Sequence, residues 1–246
     1  MTIVLSYASS MIIAMTTDSA ITIEIGDRRE YHEGQKSFFF SGVGCVTTWG
    51  SRDHNRIWQY LTGIPINPKT HNIEDLSEIV FNYLTREYRP HELGLDDVGY
   101  HVAGFDAQKN PRLWHIYYGF ERPKPPDQTI REYKKRDHSP IKGSTYWLYN
   151  GRNDLAFPII HTLIQQINSQ GALRIDLRNP IDIAYFCDFV ARFASEFTPE
   201  VGPPFLTYLI GVNNNSIAIK NEKQIPLNRD EIQKAFERFG ARVESE

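Results

Sequence analysis

The first twenty residues, "MTIVLSYASSMIIAMTTDSA" (1–20), decide the reading of the fold. They contain two runs rich in β-branched and aromatic residues, TIVLSYA (2–8) and MIIAMTT (11–17), split by Ser9-Ser10. Runs of this kind favour strands, and a short polar break between two of them favours a hairpin. A strand therefore starts at the second residue of the chain. ITIEI (21–25) and KSFFFSG (36–42) bracket a polar stretch, GDRREYHEGQ (26–35), which must hold a turn and has room for a further short strand. The first quarter of the chain reads as sheet.

Beyond GVGCVTTWG (42–50), read as a glycine-rich corner, the period changes. Ile57, Trp58, Tyr60 and Leu61 suggest one helix, and Leu76, Ile79, Val80, Tyr83 and Leu84 repeat at helical spacing in a second, with Asn72 as its cap. VGYHVAGFDA (98–107) and RLWHIYYGF (112–120) form a hairpin across Gln108-Lys109-Asn110-Pro111, a good turn sequence. Four prolines and many charges make 121–143 a long surface loop or arm. TYWLYN (145–150) precedes a helix over 153–168 and a longer one over 180–196, which opens with Asn179-Pro180, a favoured capping pair. FLTYLIGV (205–212) and SIAIK (216–220) make a last hairpin, and Arg229–Phe239 a short final helix. Segregated strands and paired helices argue for one α+β domain over 1–246, with two sheets packed together and covered by helices on both outer faces.

Composition narrows the function. With 27 basic against 30 acidic residues and a net charge of -3, there is no basic excess to neutralise phosphates, so nucleic acid is not an expected partner. No apolar run approaches the length of a membrane helix and no basic segment precedes the first apolar stretch, so neither membrane nor secretion is expected. Cys45 and Cys187 lack any Cys-x-x-Cys companion, which points to a reduced, cytoplasmic protein, and Cys45 reads as a small buried hydrophobe. His54, His101 and His115 do not show metal spacing, and no cofactor is expected. Tyr146 to Tyr149 reads as packing and Arg131 to Arg136 as a solvated face.

The chemistry gathers at the start. If Met1 is removed, Thr2 carries a free amine and a hydroxyl on one carbon skeleton, with Asp18-Ser19 following the second strand. An N-terminal amine titrates near ~8 and can take the proton from a hydroxyl, which is a weak nucleophile until a base does so. Thr2-Ile3-Val4, Asp18-Ser19, Ser41-Gly42-Val43-Gly44 and "VAGFDAQKNPRLWHIYYGF" (102–120) occur in an order that resembles the proteasome-type branch of the N-terminal nucleophile hydrolases, including the HslV-like peptidases.

The resemblance implies a four-layer αββα sandwich, two antiparallel sheets covered by helix pairs. In it Thr2 would act as nucleophile and base on a peptide or amide bond, Asp18 would orient the amine and lysine network, and the Gly44 N–H would stabilise the oxyanion. Lys36 matches the family's lysine by its distance from Asp18. If Glu33-Gly34-Gln35 forms the hairpin turn, Arg28 or Arg29 takes that position instead, and an arginine cannot share its proton. The resemblance also implies a homo-oligomeric ring or stacked assembly that admits peptides to an inner chamber.

Three departures bear on activity. Ala20 replaces the family's arginine after Asp18-Ser19, no aspartate occurs in "EFTPEVGPP" (196–204), and no serine adjoins Gly151 in "YNGRND" (149–154), unless Gly143-Ser144 is the match. Two further readings follow: a catalytically inactive structural or interaction subunit, and a small-molecule amidase on the same fold.

Overall fold

Ser9 explains why the two N-terminal runs fold back on each other. Its hydroxyl accepts the N–H of Met11 and of Ile12 and donates to the Ile12 carbonyl, which closes the turn between Ile3–Ala8 (β1) and Ile12–Thr17 (β2). Every residue of both strands is buried. That is why they read as continuous apolar runs rather than as alternating ones.

The computed structural model describes residues 2–25, 28–50, 54–94, 97–119, 131–151, 158, 161, 175–198, 200–222, 230 and 234. Ala20–Ile25 (β3) and Arg28–Glu33 (β4) follow β2, then Ser37–Phe40 (β5) and Gly44–Gly50 (β6). Two helices come next, His54–Gly63 (α1) and Ile73–Asn82 (α2), and the second continues as a wider π-helical turn over Tyr83–Tyr88. Val98–Phe105 (β7), Pro111–Gly119 (β8), Glu132–Asp137 (β9) and Tyr146–Gly151 (β10) precede the helix Pro180–Ser195 (α3). Phe205–Gly211 (β11) and Ser216–Asn221 (β12) end the described strands.

All the strand pairs are antiparallel. One sheet has the order β10-β1-β2-β11-β12, a second β5-β6-β7-β8-β9, and β3-β4 form a two-stranded ribbon. The described residues thus make an α+β fold of three antiparallel sheets and three helices.

Local chemistry sets the starts of α2 and α3. Asn72 accepts the Asp75 N–H while Asp75 accepts the Asn72 N–H, a reciprocal cap for α2. Asn179 accepts the Ile181 N–H ahead of Pro180 and opens α3.

Apolar burial then fixes where each helix lies. Ile183, Phe186, Cys187 and Val190 of α3 join Leu5, Tyr7, Ala14 and Leu209 of the first sheet in one cluster. Ile57 and Leu61 of α1, with Ile73, Leu76 and Val80 of α2, join Val46, Tyr100, Val102 and Ile116 of the second sheet. A third cluster draws on both sheets, with Ile13, Met15, Leu148 and Ile210 from one and Cys45, Ala103, Phe105 and Leu113 from the other.

Two sequence expectations need correction. Only Gly42 and Val43 of GVGCVTTWG lie in a turn: the last seven residues form β6, buried up to Trp49, between β5 and β7. Within the expected loop 121–143, Glu132–Asp137 is the edge strand β9. Its charges obscure it in sequence, yet they suit an edge: Lys135 pairs with Glu78 at 2.6 Å, and Arg136 lies over the Tyr117 ring. The first ten positions of that loop lie outside the described residues, as do nearly all of the helices expected over 153–168 and 229–239. No helix among the described residues is long and apolar enough to cross a membrane.

Candidate functional site

Thr2 lies one residue ahead of β1 and is 2% exposed. The amide of the next residue, Ile3, donates to Asp18 Oδ1 at 2.9 Å. Asp18 occupies the short link between β2 and β3, where its other oxygen accepts the N–H of Ala20 at 3.1 Å and of Gly202 at 3.4 Å. The same oxygen accepts Lys36 Nζ at 2.9 Å, and neither side chain of this pair has any exposed surface. Lys36 Nζ also donates to the Ala20 carbonyl.

Lys36 is aimed by its backbone. It precedes β5, its carbonyl accepts the Thr48 N–H at 2.9 Å, and the Trp58 indole N–H holds the carbonyl of Gln35 beside it. Arg28 and Arg29 stand on β4, opposite Ile25 and Glu24 in the ribbon. Lys36 is the cation on Asp18.

Burial governs the charges of the pair. It pushes the Lys36 ammonium below its ordinary value against the pull of Asp18. It raises the Asp18 carboxyl, while Lys36 and the Ile3 and Gly202 amides hold it back. Burial thus moves the two proton affinities toward each other.

Gly44 does not join this group. Ser37, next to Lys36, pairs with Thr47, whereas Gly44 pairs with Phe40, about 10 Å further along the strand at the usual rise. The glycine at the Lys36 end of β6 is Gly50, with φ +91° and no room for a Cβ, which would come within 2.2 Å of the Asp97 carbonyl. Reading GVGCVTTWG as a corner hid it. A glycine that ends a buried run just before a helix was the available signal.

Two more glycines shape the site. Gly202, in the link from α3 to β11, reaches Asp18 through its backbone, a role no side-chain motif announces. Gly151 ends β10 opposite Ile3 with φ +96°, and a Cβ there would lie 1.6 Å from the Thr2 carbonyl oxygen. Ser144 is exposed and donates to Ile141 within its own turn. Cys45 is fully buried, and burial pushes its thiol far up. Among the described residues no cluster of His, Cys, Asp or Glu is arranged to hold a metal.

Neither a protein-family model nor a curated protein sequence matches the chain. In structure, the chain is similar to Anbu proteins. Anbu (ancestral beta-subunit) from Yersinia bercovieri has a TM-score of 0.59 at 12% identity, over 99% of this chain and 95% of that one. A Gly-1 mutant of Anbu from Hyphomicrobium sp. strain MC1 also has a TM-score of 0.59 at 12% identity, over 100% and 97%. Anbu from Pseudomonas aeruginosa, solved as a helical assembly of the Anbu complex, gives 0.57 at 13%, over 99% and 94%.

These figures correct the family resemblance read from the sequence. Short motifs in order suggested an HslV-like N-terminal nucleophile hydrolase, yet no family model recognises the chain and its structural neighbours are Anbu proteins. Identity of 12–13% carries a proteasome-like fold alone. The Anbu likeness does not extend to a shared activity.

Proposed function

We propose that the chain is an N-terminal threonine hydrolase built on a proteasome-like subunit fold, cleaving peptide or amide bonds after removal of Met1. The observation that carries this reading is the buried Asp18–Lys36 pair at the start of β1, with Asp18 fixed by the Ile3 N–H. The Thr2 hydroxyl attacks the substrate carbonyl, and its proton passes to the Thr2 amine and on to the departing amine. Water then cleaves the resulting ester and regenerates Thr2. Asp18 and Lys36 set the field around the amine, and the oxyanion is met by backbone N–H groups at the Gly50 end of β6 rather than at Gly44. No cofactor enters this scheme.

The fold goes with a single domain over 1–246 in which the two five-stranded sheets form a four-layer αββα sandwich. The helical assembly of the Anbu neighbour supports oligomerisation in general. The reading extends this to a cytoplasmic homo-oligomer of ring or stacked form that takes peptides as substrates.

A second reading is favoured by the burial of Thr2 and by Ala20 standing where an arginine was expected: a catalytically inactive structural or interaction subunit. One experiment separates the two. The intact mass of protein purified from its own host should lack Met1, and a β-lactone probe should add one equivalent that Thr2→Ala abolishes. Retained Met1, or a Thr2→Ala protein that labels and hydrolyses like the parent, would overturn the hydrolase and leave the inactive subunit. A panel of acyl amides against peptides distinguishes a small-molecule amidase.

A further inference from the structure

A row of polar side chains crosses the second sheet. Ser37, Thr47, His101, His115 and Arg136 stand opposite one another on β5 to β9, so they share one face of it. That face turns toward the first sheet: Ser37 Oγ bonds Thr17 Oγ1 at 2.9 Å, and His101 bonds Ser6 Oγ through Nδ1 at 2.8 Å and Asn150 Oδ1 through Nε2 at 2.7 Å. The Asn150 oxygen only accepts, so Nε2 carries the proton and the Ser6 hydroxyl donates to Nδ1.

Three other polar atoms on this face have no hydrogen-bond partner among the described residues: Thr47 Oγ1, Trp49 Nε1 and His115 Nε2. Thr47 is 0% exposed, and Trp49 and His115 are 9% exposed. Thr47 flanks His101 on one side and His115 flanks it on the other. Trp49 stands two residues along β6, its indole filling the space a Cβ on Gly99 would need, with its ring centroid 5.5 Å from that of His115. Val4 and Tyr117 wall it in.

Protein interiors rarely leave such groups unpaired, because each forfeits the bonds it made to solvent. We infer that this seam between the sheets binds internal water, held by Thr47 Oγ1, Trp49 Nε1 and His115 Nε2. Water suits the set because an indole N–H only donates, a hydroxyl does both, and an imidazole nitrogen accepts or donates by tautomer. Buried water is found beside enclosed polar groups of this kind. Thr47 and His115 are separated by β7, about 10 Å apart at the usual strand spacing, so no single molecule serves both. A metal does not fit, since no three ligating side chains among the described residues converge there.

Thr47→Val keeps the shape and deletes the hydroxyl, so it tests the inference by sign. A hydrated hydroxyl is missed: the melting temperature should fall by about 2–4 °C. An unchanged or higher melting temperature means the hydroxyl was unpaired and overturns the proposal. Independently of that variant, a high-resolution crystal structure of the parent protein should show ordered water within hydrogen-bond distance of Thr47 Oγ1 and His115 Nε2. Protein atoms filling those positions, with no water, would sink it.

Discussion

Asp18 and Lys36 pair at 2.9 Å at the base of β1, and neither touches solvent. Removing one partner of such a pair leaves the other buried and uncompensated, a loss of about 3–5 kcal/mol. Asp18→Asn should therefore lower the unfolding free energy by roughly that amount in urea titrations. Adding Lys36→Met should restore part of it, because a neutral pair carries no desolvation penalty. Gly151→Ala tests the backbone beside them. With φ +96° and a Cβ 1.6 Å from the Thr2 carbonyl oxygen, the new side chain forces the first strand to shift. A loss above about 1 kcal/mol is expected in thermal unfolding, since the substitution strains the native state more than it restricts the unfolded one.

At the scale of elements, α2 depends on a reciprocal cap. Asn72→Ala deletes the acceptor for the Asp75 N–H and should cost about 1 kcal/mol, read from the urea midpoint at unchanged slope. This kind of feature was legible in the sequence, because a cap involves residues three apart. So were the β1–β2 hairpin, closed by Ser9, and the start of α3 at Asn179-Pro180. What escaped depends on partners far along the chain. Glu132–Asp137 has the composition of a loop and becomes a strand only because β8 offers it an edge. Gly44 and Gly50 bound one strand, and sequence alone did not say which of them stands beside Lys36. The contact of Gly202 with Asp18 joins residues 184 apart through a backbone N–H, so no side-chain pattern announces it.

Across the whole molecule, the seam between the two sheets sets the response to acid. Burial, with His138 nearby, pushes His101 from 6.5 down to about 3 against the pull of its bond to Asn150, and burial also pushes His115 well below 6.5. In the unfolded chain these imidazoles titrate near ~6.5. The unfolded state thus takes up protons that the folded state refuses. The contribution of His101 to stability is complete above pH 6.5 and is lost as the pH falls toward 3, by about 1.4 kcal/mol per pH unit, and His115 acts in the same direction. Urea midpoints measured from pH 7 to pH 4 should fall accordingly. His101→Gln should flatten the slope, and an unaltered slope would show that His101 does not carry it. The pattern of strand and helix runs led from sequence to an α+β fold, while the order of short motifs overstated kinship.

The burial of both thiols has a practical consequence. Cys45 and Cys187 are the chain's two cysteines, each fully enclosed, with burial pushing Cys187 up to about 12 and Cys45 further still. Thiolate is the reactive form, so the folded protein should stay silent toward maleimide at neutral pH. A single cysteine introduced at an exposed position such as Ile141 would then be the only attachment point for a dye or spin label, with no native residue to remove beforehand.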